Sequence, residues 1–136
     1  MFGHSEGALF ALLAATGHGG DARVPPVHAL GLLEPLSERY LTVIAIQVDD
    51  EVTAALKAGQ ITKAQATAID VALRSAIAQL RSTGTVPSGL PDTLGSALNP
   101  DTALFLREAD RYDPAVLGTC LPKPRCSRAA PTTTSR

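Results

Sequence analysis

The chain has no tryptophan, and its aromatics are two tyrosines and three phenylalanines in 136 residues. The bulky anchors that fill most cores are scarce, so any core here is thin and aliphatic, and marginal stability is expected. There is no excess of positive charge either. Twelve Lys and Arg against thirteen Asp and Glu give a net charge of −1, with the basic residues scattered. That excludes the electrostatic footprint of a nucleic-acid or anionic-membrane binder. No apolar run reaches the roughly 18 to 20 residues that a membrane span needs. No basic region precedes the short apolar stretch Ala8–Ala15, so no export signal is expected and a cytoplasmic location follows. Cysteine is nearly absent as well. Cys120 and Cys126 have five residues between them and no histidine nearby, which fits neither zinc spacings nor a redox Cys-x-x-Cys, so no metal or other cofactor is expected. Histidine is confined to His4, His18 and His28.

What remains is the composition of a foldable single domain, 45% hydrophobic and 18% charged, with alanine supplying much of the apolar share. Ala8 to Thr16 places Leu9, Phe10, Leu12 and Leu13 among alanines, a short helix buried on most sides that Gly17, Gly19 and Gly20 end. After Pro25 and Pro26, the apolar run Val27 to Leu33 reads as one buried strand closed by Pro35. Tyr40, Ile44, Val48, Val52 and Leu56 then recur four apart along one helical face up to Gly59, although the β-branched Thr42 to Val48 stretch would also suit a strand. Thr62 and Gln65 have capping-box spacing. The helix they open carries Ile69, Leu73, Ala76, Ile77 and Leu80 on one stripe, with Gly84 just past its end. A loop with at most a short turn is expected from Gly84 to Asn99. A last helix is expected from Asn99-Pro100-Asp101 to about Tyr112, stopped by Asp113-Pro114. The tail 122–136 is proline-rich, polar and aperiodic, hence expected to be disordered.

Chemistry is concentrated in the first residues, Gly3-His4-Ser5-Glu6-Gly7. A Gly-x-Ser-x-Gly turn lifts a serine onto a strained strand-to-helix reversal, with glycine on either side because a Cβ there would meet the neighbouring strand or helix. Ser5 is then the candidate nucleophile. The backbone N–H of Glu6, at the helix start, is the candidate oxyanion donor. The bare pattern is weak in a glycine-rich chain; the helix and apolar strand that follow are the context the turn requires. The alternative is a glycine-flanked helix start capped by the Ser5 side chain.

These residues, continued by Ala8-Leu9 and then by Leu30-Gly31-Leu32-Leu33, resemble bacterial α/β-hydrolases of the lysophospholipase and serine-aminopeptidase type. The stretch Leu106 to Pro114 is similar to the segment that precedes the strand of the catalytic acid in that family. The resemblance implies a partial α/β fold, mostly helical. An elbow unit would span 1–34 and a cap-like helical region 35–121, ahead of the disordered tail. It implies Ser5 as nucleophile, Glu6 as oxyanion donor, and a small-molecule ester or acyl substrate.

Where the chain departs from that pattern, it departs at the catalytic partners. Only Met1 and Phe2 precede the motif, where the family has further strands and a second oxyanion donor. The family places its acid and then its histidine after the serine, the latter near the end, yet no histidine follows His28. His4 reads as a packing residue whose ring points away from the hydroxyl, His18 as solvated in a glycine loop, and His28 as a half-buried strand residue. Asp21 lies too close to Ser5 and His28 to reproduce a triad, and Asp49-Asp50-Glu51 reads as a wet helix face. Beyond Leu121, where the family has a strand and its acid, the polar sequence is what a frameshifted or truncated gene would give. Two functions are therefore expected: an incomplete serine hydrolase, inactive as this chain alone, or a non-catalytic helical binding module. In either case a lone strand with an uncovered apolar face should self-associate.

Overall fold

The computed structural model describes residues 1–18 and 26–121. The expectations for Gly19, Gly20, Asp21 and Pro25, for Cys126 and for a disordered tail at 122–136 lie outside those residues. The architecture is mostly helical with one short parallel sheet. Strand β1 (Phe2–His4) leads through Ser5 into helix α1 (Glu6–Thr16), and β2 (Gly31–Leu33) returns alongside β1. Phe2, Gly3 and His4 pair with Gly31, Leu32 and Leu33. The helices α2 (Tyr40–Lys57), α3 (Lys63–Thr83) and α4 (Asp92–Gly95) follow. A 3₁₀ turn at Pro100–Thr102 then leads into α5 (Ala103–Asp110), and α6 (Pro114–Thr119) comes last.

The sheet differs from the expectation in three ways. It has two strands rather than one, because the residues before Ser5 pair with β2. The second strand is also shorter than Val27–Leu33 and is half-buried to exposed rather than buried. Ladder hydrogen bonding starts only when the Gly31 N–H reaches the Met1 carbonyl, so His28 precedes the strand and is exposed.

Helix α1 begins two residues before the expected Ala8 and buries Ala8, Leu9, Ala11, Leu12 and Leu13. Helix α2 prevails over the strand that Thr42–Val48 would suit, because its Leu41 and Val48 bury against α3. Helix α3 has both halves of its capping box: the Thr62 hydroxyl accepts from the Gln65 N–H, and the Gln65 side chain accepts from the Thr62 N–H. It ends at Gly84, whose φ of 78° lets its N–H return to the Leu80 carbonyl. Arg81 in the last turn of α3 donates to Thr42 in the first turn of α2, so these two helices run antiparallel.

The helix expected to end at about Tyr112 is α5, and a further helix that was not expected, α6, comes after it. Helix α5 ends at Asp110, and Asp113 then opens α6 by accepting from the N–H groups of Ala115 and Val116, with Pro114 in the first helical position. The Asp-Pro pair stops one helix and starts another.

Two aliphatic clusters hold the chain together. The larger joins α2, α3, α4 and α5 through Leu41, Leu73, Leu80, Leu94, Leu98 and Leu106. Each fully buried leucine contributes about 1.5 to 3 kcal/mol. The smaller joins α1 to α5 and α6 through Leu9, Leu12, Leu13, Ala109 and Leu117, with Leu32 of β2 packed against it. Helix α6 thus backs the helix that follows Ser5.

Candidate active site

Ser5 stands between β1 and α1 with φ 52° and ψ −118°. Only one other non-glycine residue among those described, Glu34, has a positive φ. Such a backbone costs about 1 to 3 kcal/mol and persists only where neighbouring structure over-determines it. Three contacts do so here. The Ser5 N–H donates to the Leu33 carbonyl at 3.0 Å, the Ser5 carbonyl accepts from the Ala8 N–H at 3.0 Å, and buried Gly3 allows α1 to fold back closely. A Cβ on Gly3 would collide with the Gly7 carbonyl oxygen and stand 2.6 Å from the Ala8 Cα.

Gly7 does not share that reason. It is exposed and a Cβ there would meet nothing within 4 Å, so the expected clash at both glycines holds at Gly3 alone. The reading of Ser5 as a helix cap is also overturned, since its side chain makes no capping hydrogen bond. Ser5 is half-buried, and no described residue hydrogen-bonds its hydroxyl. At the start of α1 the Glu6 N–H finds no backbone acceptor among the described residues, which leaves it as a donor at the positive end of an eleven-residue helix.

Ser5 and Glu6 line one end of a cleft of about 200 Å³, completed by Leu36, Tyr40, Val43, Ile44 and Gln47 from α2 and the turn before it. The Tyr40 hydroxyl donates to Glu6 Oε2 at 2.8 Å. Burial first, and then the hydrogen bond and negative charge of Glu6, push the Tyr40 phenol up to about 12. The phenol therefore stays protonated and holds the Glu6 carboxylate through that hydrogen bond. Tyr40 in turn packs edge-on against Phe105, with ring centroids 5.6 Å apart. Nothing in the local sequence marks a link between Tyr40 and Glu6, 34 positions apart; the only trace is that both face inward at the first turn of a helix.

The histidines are engaged elsewhere. His4 is exposed, with Nε2 3.1 Å from Glu34 Oε2, so it is a surface residue rather than a packing one. His18 is exposed beside Gly17, its Nδ1 3.0 Å from the Thr16 hydroxyl. His28 is exposed rather than half-buried. Among the described residues none of the three hydrogen-bonds Ser5. Asp49, Asp50 and Glu51 lie on the exposed side of α2.

The most deeply placed acid is one whose burial sequence reasoning missed. Asp110 is 1% exposed. Its Oδ1 accepts from the Leu41 N–H at 2.9 Å and from Arg81, and its Oδ2 accepts from Arg39 at 2.9 Å and from Arg81 at 2.8 Å. The Arg39 Nε–H also reaches the Asp110 carbonyl. This carboxylate ties the ends of α5 and α3 to the start of α2, and with all its acceptor positions engaged it is a structural staple. Its signal was present: Asp110 continues the buried stripe Ala103, Leu106, Ala109, and an acid on an apolar stripe needs a cationic partner.

No group of three or more metal-ligating side chains occurs among the described residues, and no helix there is long and apolar enough to cross a membrane. Compared with protein-family models, curated proteins and solved structures, the chain matches none of them.

Proposed function

We propose that Gly3–Gly7 is the nucleophile turn of a serine hydrolase of the α/β-hydrolase kind, acting on a carboxylic ester or related acyl compound. Ser5 is the nucleophile and the Glu6 N–H an oxyanion donor. The observation that carries this reading is the Ser5 backbone, a non-glycine residue at φ 52°, ψ −118° between a parallel strand and a helix, with its hydroxyl uncommitted among the described residues. Strain at such a position is the known cost of presenting a nucleophile. In the reaction, Ser5 Oγ attacks the carbonyl carbon and its proton passes to a base. The resulting oxyanion accepts from the Glu6 N–H, collapse expels the alcohol or amine, and water releases the acid.

No described residue is placed to take that proton. A serine hydroxyl stays protonated at neutral pH, and a site without its base keeps only the residual catalysis of binding and oxyanion contacts. The chain alone is therefore inactive in this reading, and the base and acid would come from another polypeptide segment. A second reading, a non-catalytic helical binding module, is favoured by the larger core, which closes over α2 to α5 with no residue from the Ser5 turn. Under either reading the exposed Phe2 and Leu33 on the two-stranded sheet favour self-association.

Treatment with a fluorophosphonate probe at neutral pH tests the missing base. The chain alone should stay unlabelled. Stoichiometric labelling that disappears in Ser5→Ala would show that a base is already in reach.

A further inference from the structure

We propose that the groove between the start of α2 and the ends of α3 and α5 is a binding site for a phosphate-bearing ligand. It has a volume of about 500 Å³ and is lined by Arg39, Arg81, Arg107, Glu108, Asp110 and Arg111. Residues from three places in the sequence, Arg39, Arg81 and 107–111, are brought together, so the full basic cluster is not visible in the sequence. The site is independent of the Ser5 turn.

Four guanidiniums face two carboxylates there, a surplus of two positive charges, which matches a phosphate dianion. Three of the four forks are held by carboxylates. Buried Asp110 holds Arg39 through its Nε and one Nη, and holds Arg81 in the same way, which leaves the second Nη of each unspent among the described residues. Arg111 is tied to Glu108 through Nη1 alone, at 2.9 Å. Arg107 lies over Gly84 at the end of α3 and donates no side-chain hydrogen bond to a described residue. A staple alone needs none of these spare donors. Planar guanidiniums already oriented by a carboxylate lose little freedom on binding, and their paired N–H groups fit the oxygens of a phosphate.

The test is titration of the ¹⁵N-labelled chain with inorganic pyrophosphate, following the arginine Nε–H signals. Saturable shifts are expected at Arg39, Arg81, Arg107 and Arg111 but not at Arg74, which is paired with Asp70 outside the groove. Arg107→Gln, which leaves the Asp110 network intact, should weaken binding about tenfold, the loss expected for one charge-assisted contact. Arg111→Gln should do likewise, with unchanged circular dichroism in both variants. Competition by phosphatidic acid vesicles identifies the source: displacement of pyrophosphate points to a lipid headgroup, and no displacement to a soluble phosphate. Shifts spread equally over Arg74 and the groove, absence of saturation, or undiminished binding in both variants would overturn the proposal.

Discussion

The backbone N–H of Ser5 donates to the carbonyl of Leu33 at 3.0 Å, so the β1–β2 ladder runs on into the residue where the chain reverses. The ladder pins one side of the turn, and Gly3 sets how closely α1 can fold back on the other. Gly3→Ala would drive a Cβ into backbone atoms of Gly7 and Ala8, which no rotamer change relieves. We expect a loss of about 3 kcal/mol or more, at the upper end of overpacking costs, in urea denaturation. Gly7→Ala is the matched control. With open space around that position, stability should be unchanged or raised by up to about 1 kcal/mol.

Tyr40 gives a pH prediction with a definite sign. Its folded value of about 12 lies above the ordinary tyrosine value of 10.0. Between those values the folded chain holds a proton that the unfolded chain has lost. Stability from this group is complete below pH 10 and falls as the pH rises towards 12. Ultraviolet titration in a Tyr112→Phe background should show the late phenol. Glu6→Gln should lower its midpoint only part of the way, because burial outweighs Glu6 as the cause.

Asp110→Ala should cost about 2 to 4 kcal/mol, below the full penalty for breaking a buried ion pair because Arg39 and Arg81 are partly exposed and can rehydrate. The Leu41 N–H, which donates to Asp110, would also lose its acceptor. Thermal or urea unfolding would measure the loss, and a change below about 0.5 kcal/mol, the usual range for surface substitutions, would contradict a staple role.

Local chemistry made much of this fold legible. The Thr62–Gln65 box and the stripe from Ile69 to Leu80 identify α3 because capping and periodicity act within one helix. The four-residue spacing from Tyr40 likewise marks α2. The failures share a cause. A three-residue strand such as β1 has almost no sequence pattern of its own and exists because β2 lies beside it. The apolar run Val27–Leu33 is longer than β2 because such a run shows where a strand can form, not where its partner ends. Asp113-Pro114 has the pattern of a helix stop, yet the same pair caps and starts α6. At the candidate site Ser5 and Gly3 were visible because the turn is contiguous. Tyr40–Glu6 and the Asp110 staple join residues 29 to 71 positions apart, and only the folded chain brings them together.

The central claim is that Ser5 is presented for attack and has no proton acceptor among the described residues. It is tested most directly by incubating the chain with p-nitrophenyl acetate, with and without added imidazole, and mapping acetylated hydroxyls by peptide mass spectrometry. The expected result is imidazole-dependent acetylation at Ser5 ahead of every other serine and threonine, lost in Ser5→Ala. Acetyl groups distributed over the surface hydroxyls with no preference for Ser5 would contradict it.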